Sequence, residues 1–146
     1  GTFIGYSAVL ISSTIREKSK LTSIDSDSHS IEIAKELINF AGLDDKVNFM
    51  HGNAEEIIPE LNFNADFVFI DHAKKKYLSD LKLLETEEII LKNCTVFADN
   101  VGIFKDEMAE YFDHVRNSGK YQSQNFSSKL EYRNNIYDAV EISIKN

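Results

Sequence analysis

Three features of the sequence predict an α/β fold, a doubly wound, mostly parallel sheet that closes on an antiparallel strand pair. Short β-rich runs alternate with helix-period stretches, nearly every run ends on a polar residue, and two strand-like segments follow each other at the C-terminus. The opening GTFIGYSAV has the form of a turn leading into a helix near Tyr6-Ser7, yet no strand precedes Gly1. The chain is therefore expected to begin inside a domain, with the first strand and the preceding helices absent from it. LTSID (21–25) is the next strand. Asp27 is placed to cap a helix whose apolar residues Ile31, Ala34, Ile38 and Ala41 recur at helical spacing, and Gly42 stops it. KVNFMH (46–51), Gly52 and a short helix AEEIIPEL containing the single proline, Pro59, come next. FVFID (67–71), a helix over residues 77–90, CTVFADN (94–100) and a helix over residues 106–117 follow. YQSQNF (121–126) and AVEISIK (139–145) are strand-like with no helix between them. The whole is predicted to be one domain, residues 1–146.

Composition narrows the function. With 16 basic and 24 acidic side chains the formal net charge is −8. A nucleic-acid binder carries a basic face instead, so no nucleic acid is expected as a partner. A 42% apolar fraction supports a real core, but no run reaches the ~20 residues of a membrane span, so no membrane partner is expected. The single cysteine, Cys94, excludes a disulfide framework and a CxxC zinc site, and points to a reducing compartment, the cytoplasm. Cys94 lacks a visible base and is expected to be a buried, inert thiol. His29 and His114, on helical stretches, are expected to face solvent.

In a doubly wound sheet, ligands sit beyond the carboxyl ends of the strands. Asp25, Gly52, Asp71 with His72, and Asp99 with Asn100 all fall there. A single acid at such a place is most simply a helix cap; four consecutive strands ending this way favour a ligand site. Gly1-x-x-x-Gly5 before a helix lets backbone approach a ligand, and Asp25, twenty residues after Gly5, falls where such folds hold ribose hydroxyls. An adenosine-containing cofactor follows. The GxGxxG pattern of dinucleotide sites is absent. Asp71, Asp99 and Asn100 offer oxygen ligands suited to Mg²⁺, although Asp99-Asn100 could equally form an ordinary turn. Lys74, between Asp71 and the like charges of Lys75 and Lys76, is a candidate base, against the alternative of a solvated basic helix start. Glu131 could add a carboxylate, with no reason in the sequence to prefer it over Glu141.

Together GTFIGYSAV, INFAGLDDKV (38–47), HGNAEEIIPEL (51–61), FVFIDHAKKKYL (67–78), VFADNV (96–101), DHVRNS (113–118) and LEYR (130–133) resemble the catechol O-methyltransferase family, within the Rossmann-like class I S-adenosylmethionine-dependent methyltransferases. The resemblance implies that Gly1, Phe3, Gly5, Tyr6, Ser7, Asp25, Gly52, Glu55, Asp71 and His72 contact S-adenosylmethionine, with Asp25 on the ribose. It implies Asp71, Asp99 and Asn100 as Mg²⁺ ligands, Lys74 as the catalytic base, and Glu131 as the carboxylate that orients the second hydroxyl of a catechol-like acceptor. Ala73 stands where the vertebrate enzyme has a tryptophan, and Phe104 where it has a proline. These departures leave open another vicinal-diol phenolic as acceptor. The missing start leaves open a catalytically inactive cofactor-binding domain.

Overall fold

The computed structural model describes residues 1–130 and 133–146. Within it the chain divides into two compact units, Gly1–Glu60 and Leu61–Asn146.

The first unit carries α1 (Tyr6–Thr14), β1 (Leu21–Asp25), α2 (Ser28–Phe40), β2 (Val47–His51) and α3 (Ala54–Ile57). Gly5 precedes α1 at φ 89, and a Cβ there would lie 3.0 Å from both Cα and Cβ of Ala34 on α2. Only glycine gives this left-handed turn and this helix–helix approach together. Asp27 caps α2 as the sequence predicts, accepting from the backbone N–H of His29 at 3.1 Å and from Ser30 Oγ at 2.6 Å. Ile31, Ala34 and Ile38 are buried along one face of α2, while Ala41, expected on that face, is the exposed C-cap. β1 and β2 pair in parallel with Asp25 opposite His51, so both strands end at one level. The Gly52 N–H then donates to the Asp25 carbonyl at 2.9 Å. The predicted AEEIIPEL helix is one short turn, α3, that tightens into a 3₁₀ turn at residues 58–60 around Pro59.

The second unit carries β3 (Ala65–Ile70), α4 (Tyr77–Thr86), β4 (Ile90–Ala98), α5 (Ala109–Asn117), β5 (Tyr121–Leu130) and β6 (Arg133–Lys145). Its sheet runs β3-β4-β6-β5, with β3 and β4 parallel and both β4–β6 and β5–β6 antiparallel. The parallel βαβ units and the terminal antiparallel pair are those the sequence predicts. Some boundaries differ. α4 ends at Thr86 because β4 starts at Ile90, four residues before Cys94, and α5 starts at Ala109 after a 3₁₀ turn at residues 105–107. Tyr77 and Leu81 of α4, Val96 of β4, Val101 in the turn after β4, and Val115 of α5 have no exposed surface and form the centre of this core.

Register positions the chemistry. Ile70 pairs with Ala98, so β3 and β4 release Asp71 and Asp99 side by side, and the Asp99 N–H extends the ladder to the Ile70 carbonyl at 3.0 Å. β6 lies along the other side of β4, with Ala98 opposite Glu141. The Val101 N–H reaches the Ala139 carbonyl at 2.9 Å, which brings residues 99–103 onto Asp138.

Candidate active site

In the first unit, the loop before α1 folds onto the end of β1. Asp25 Oδ2 accepts from the backbone N–H groups of Thr2 at 2.6 Å and Phe3 at 3.0 Å, and Oδ1 from that of Asp27 at 2.9 Å. Burial raises the pKa of this carboxyl, but the three N–H groups outweigh it and hold the group below the ordinary carboxylate range. A carboxylate has about four acceptor positions, so one remains for a ribose hydroxyl. Asp25 thus fits the predicted ligand in part and also fastens the Gly1–Gly5 loop. No side chain caps α1 and no acid lies in its first turn, so its first N–H groups have neither an intrahelical nor a side-chain cap partner. Phe3 and Tyr6 are 70% and 55% exposed, and Ser7 is half-buried beside them. Gly52 follows β2, and Glu55 is exposed on α3.

In the second unit, Lys74 is the centre. Its Nζ donates to Tyr77 Oη at 2.6 Å, to Asp71 Oδ1 and the Asp99 carbonyl at 3.2 Å each, and to Asn100 Oδ1 at 3.5 Å. Tyr77 Oη donates in turn to the Asp99 carbonyl at 3.1 Å. Burial, then the charges of Asp71 and Asp99, push the Tyr77 phenol far above its usual range, so it stays neutral. Burial also raises the Asp99 carboxyl; the Asn100 N–H opposes this, while Asp71 and Asp138 push it further up. Asn100 has a left-handed backbone, φ 52, and its Nδ2 donates to Asp138 Oδ2 at 2.7 Å. Its carbonyl oxygen is thereby turned toward Lys74.

Asp71 Oδ1 and Asn100 Oδ1 converge on Lys74 beside the backbone carbonyl of Asp99, whose carboxylate accepts the Asn100 N–H at 2.8 Å. A cation already answers to two of these side chains, the ammonium of Lys74. Among the described residues no three His, Cys, Asp or Glu side chains gather as a metal-holding group. Two carboxylates and an amide nevertheless fit Mg²⁺, which keeps several positions for water and substrate. Lys75 and Lys76 lie on the exposed side of the same turn.

Other predicted positions fall differently. His72 Nε2 is 2.7 Å from Asp80 Oδ2, and its ring stacks on Tyr77 at 5.2 Å, so it also braces the residue that holds Lys74. Glu131 lies outside the described residues. Its alternative, Glu141, is fully buried and pairs with Arg116 through two contacts of 2.7 Å, an ion pair of the core. His114 is not solvated as expected: it is 12% exposed and bonded to Glu85 at 2.7 Å, because α5 packs on α4 through that residue. His29 is exposed as expected. Cys94 is buried with its thiol pushed up to about 11 by burial, an inert group.

Comparison with known proteins identifies the family. The family described as O-methyltransferase matches residues 1–141. The catechol O-methyltransferase of Sus scrofa is 34% identical, with 99% of this chain and 78% of that protein covered. The chain belongs to the O-methyltransferase family. Catechol O-methyltransferase B of Danio rerio is 35% identical over 99% of the chain, which spans 55% of that relative's length. The O-methyltransferase TomG of Streptomyces achromogenes, solved in complex with SAM, superposes with a TM-score of 0.89 at 18% identity, over 100% of this chain and 70% of that one, and shows the shared fold. Membership places the chain among the O-methyltransferases. Two participants escaped the sequence. Tyr77 was visible only as the start of a helix, and Asp138 stood just outside the predicted strand 139–145, which β6 extends back to Arg133.

Proposed function

We propose that this chain forms the methyl-transferring part of a cation-dependent enzyme that moves a methyl group from S-adenosylmethionine to one hydroxyl of a catechol-like acceptor. The observation that carries the reading is the convergence of Asp71 Oδ1, Asn100 Oδ1 and the Asp99 carbonyl on Lys74 Nζ. Asp71, Asp99 and Asn100 are the residues that would hold Mg²⁺, whose Lewis acidity makes a phenolic hydroxyl easier to ionise. S-adenosylmethionine supplies the methyl group from its sulfonium.

The chain's own work is positioning and proton transfer. Tyr77 fixes the Lys74 nitrogen at 2.6 Å, and Lys74, once its ammonium has released a proton to solvent, accepts the proton of the acceptor hydroxyl on its free lone pair. Glu131 orients the second hydroxyl. In the first unit, Asp25 and the loop from Gly1 to Ser7 hold the nucleoside, together with Gly52 and Glu55. Alignment of the two reactants then supplies most of the acceleration. A cytoplasmic setting accords with the one buried thiol.

Transfer of labelled methyl from S-adenosylmethionine to catechol, assayed on the full chain with Mg²⁺ and with EDTA, tests this. Activity that EDTA removes and Mg²⁺ restores is expected; undiminished activity in EDTA rejects the cation's role. Adenosylhomocysteine binding without turnover would instead identify a cofactor-binding domain. One observation favours a bulkier vicinal-diol phenolic as acceptor. The Phe104 ring centre lies 5.7 Å from Lys74 Nζ, and the neighbouring position 73 is only alanine. A higher kcat/KM for such acceptors than for catechol would establish it.

A further inference from the structure

We infer that Asp138 is a positioning residue that dictates which end of the Asn100 amide faces the cation site, so that changing one oxygen of Asp138 turns a metal ligand into a metal repellent. The inference rests on the reading of Asn100 as a ligand and extends it to a residue on another strand.

Asp138 is 6% exposed and lies in β6, beside the turn that carries Asn100. Its two oxygens do different work. Oδ1 accepts three backbone N–H groups, from Gly102 and Ile103 at 3.1 Å each and Ala139 at 2.7 Å. Oδ2 accepts Asn100 Nδ2 at 2.7 Å. The first oxygen secures the backbone after Asn100; the second secures the amide itself. Gly102 permits the approach, since a Cβ there would fall 2.5 Å from the Ala139 nitrogen. The device is needed because an asparagine side chain is nearly symmetric in shape and opposite in polarity at its two ends. Rotating it by half a turn replaces an oxygen with an NH₂ group, which a cation repels. The backbone of Asn100 is already held in the left-handed region, φ 52, so side-chain rotation is the freedom that remains to be fixed. A hydrogen-bonded carboxylate behind the amide removes it, as partners behind metal ligands generally do.

Asp138→Asn isolates the second oxygen. The introduced amide can keep its carbonyl oxygen on Gly102, Ile103 and Ala139, but then opposes its NH₂ to that of Asn100, and Asn100 must turn over. Mn²⁺ binding, followed by the electron paramagnetic resonance of free Mn²⁺, is expected to weaken by about 10- to 100-fold. The double variant Asp138→Asn, Asn100→Asp restores a donor–acceptor match with an oxygen facing the site, and is expected to recover most of the loss. Asn100→Asp alone sets the baseline, because an added carboxylate strengthens cation binding by itself; a structural role alone would leave the two substitutions additive, whereas positioning makes them couple. The ¹⁵N–¹H signals of the Asn100 side chain read the latch without metal. They should be exchange-protected in the wild type and lose protection in Asp138→Ala, with thermal unfolding checking that the fold survives.

Equal Mn²⁺ affinity in wild type and Asp138→Asn, or no rescue in the double variant, overturns the inference. An unprotected Asn100 amide in the wild type overturns it too. Wild type that binds no Mn²⁺ while its Asn100 amide is protected would reject Asn100 as a ligand, and with it the metal role of Asp138, leaving the latch itself intact.

Discussion

Lys74 shows how a side chain's role is set by what it reaches. Its stem is largely buried, its ammonium touches four oxygens on three segments, and Tyr77 Oη is the nearest at 2.6 Å. The Lys74→Met variant keeps the stem and removes the nitrogen. It is expected to lower kcat by about 10²–10⁴-fold, the range for loss of a positioned base, with adenosylhomocysteine affinity unchanged in calorimetry. Tyr77→Phe deletes one hydroxyl that is both acceptor for Lys74 and donor to the Asp99 carbonyl. Its expected effect on kcat is smaller than that of Lys74→Met, because Asp71 and the Asp99 carbonyl still hold the amine. A loss equal to that of Lys74→Met would show that the amine works only when the phenol holds it, and would reject the shared support from Asp71 and the Asp99 carbonyl.

Elements are tied together by a few contacts that substitution can isolate. Glu141 of β6 has no exposed surface, and it accepts twice from Arg116 of α5 and once from Asn125 of β5, joining a helix and two strands. Arg116 stacks on Phe112 at 4.1 Å and keeps part of its surface in water. Glu141→Ala therefore costs about 3 kcal/mol in denaturant unfolding, the low end for breaking a buried pair, because the stranded guanidinium can still hydrate. At the other unit's helix pair, Gly5→Ala must place a methyl 3.0 Å from Ala34 in a left-handed conformation. A loss of about 1–2 kcal/mol is expected from the conformation alone. Adenosylhomocysteine affinity should weaken with it, since the same loop is fastened to Asp25.

At the scale of the whole molecule, acid stability has an identifiable source. Burial raises the Glu85 carboxyl, but hydrogen bonds from Lys120, His114 and Tyr121 outweigh it and bring the pKa to about 2 from the usual 4.5. A depressed carboxyl stabilises the folded state fully above its unfolded pKa, and the contribution disappears as pH falls from 4.5 toward 2. Wild type should lose unfolding free energy through that window, and Glu85→Gln should show a flatter profile with lower stability at neutral pH. A profile unchanged by Glu85→Gln would reject this source. No helix of the described residues is long enough and apolar enough to cross a membrane.

The sequence by itself determined the α/β class, the order of the elements, the cap at Asp27, and the strand ends that release Asp25, Asp71 and Asp99. Those are consequences of hydrophobic period and turn chemistry, which are local and written along the chain. Tertiary structure decided the rest. Glu131 and Glu141 were equivalent as letters, yet Glu141 is a core ion pair because the β4–β6 register puts it inside, facing Arg116. His114 has the helical setting of a solvated residue, but α5 turns it onto Glu85. Asp138 became part of the site because an antiparallel strand brings it beside a turn 38 residues away in sequence. Such roles depend on which atoms face one another across elements, and no periodicity along a single chain encodes that.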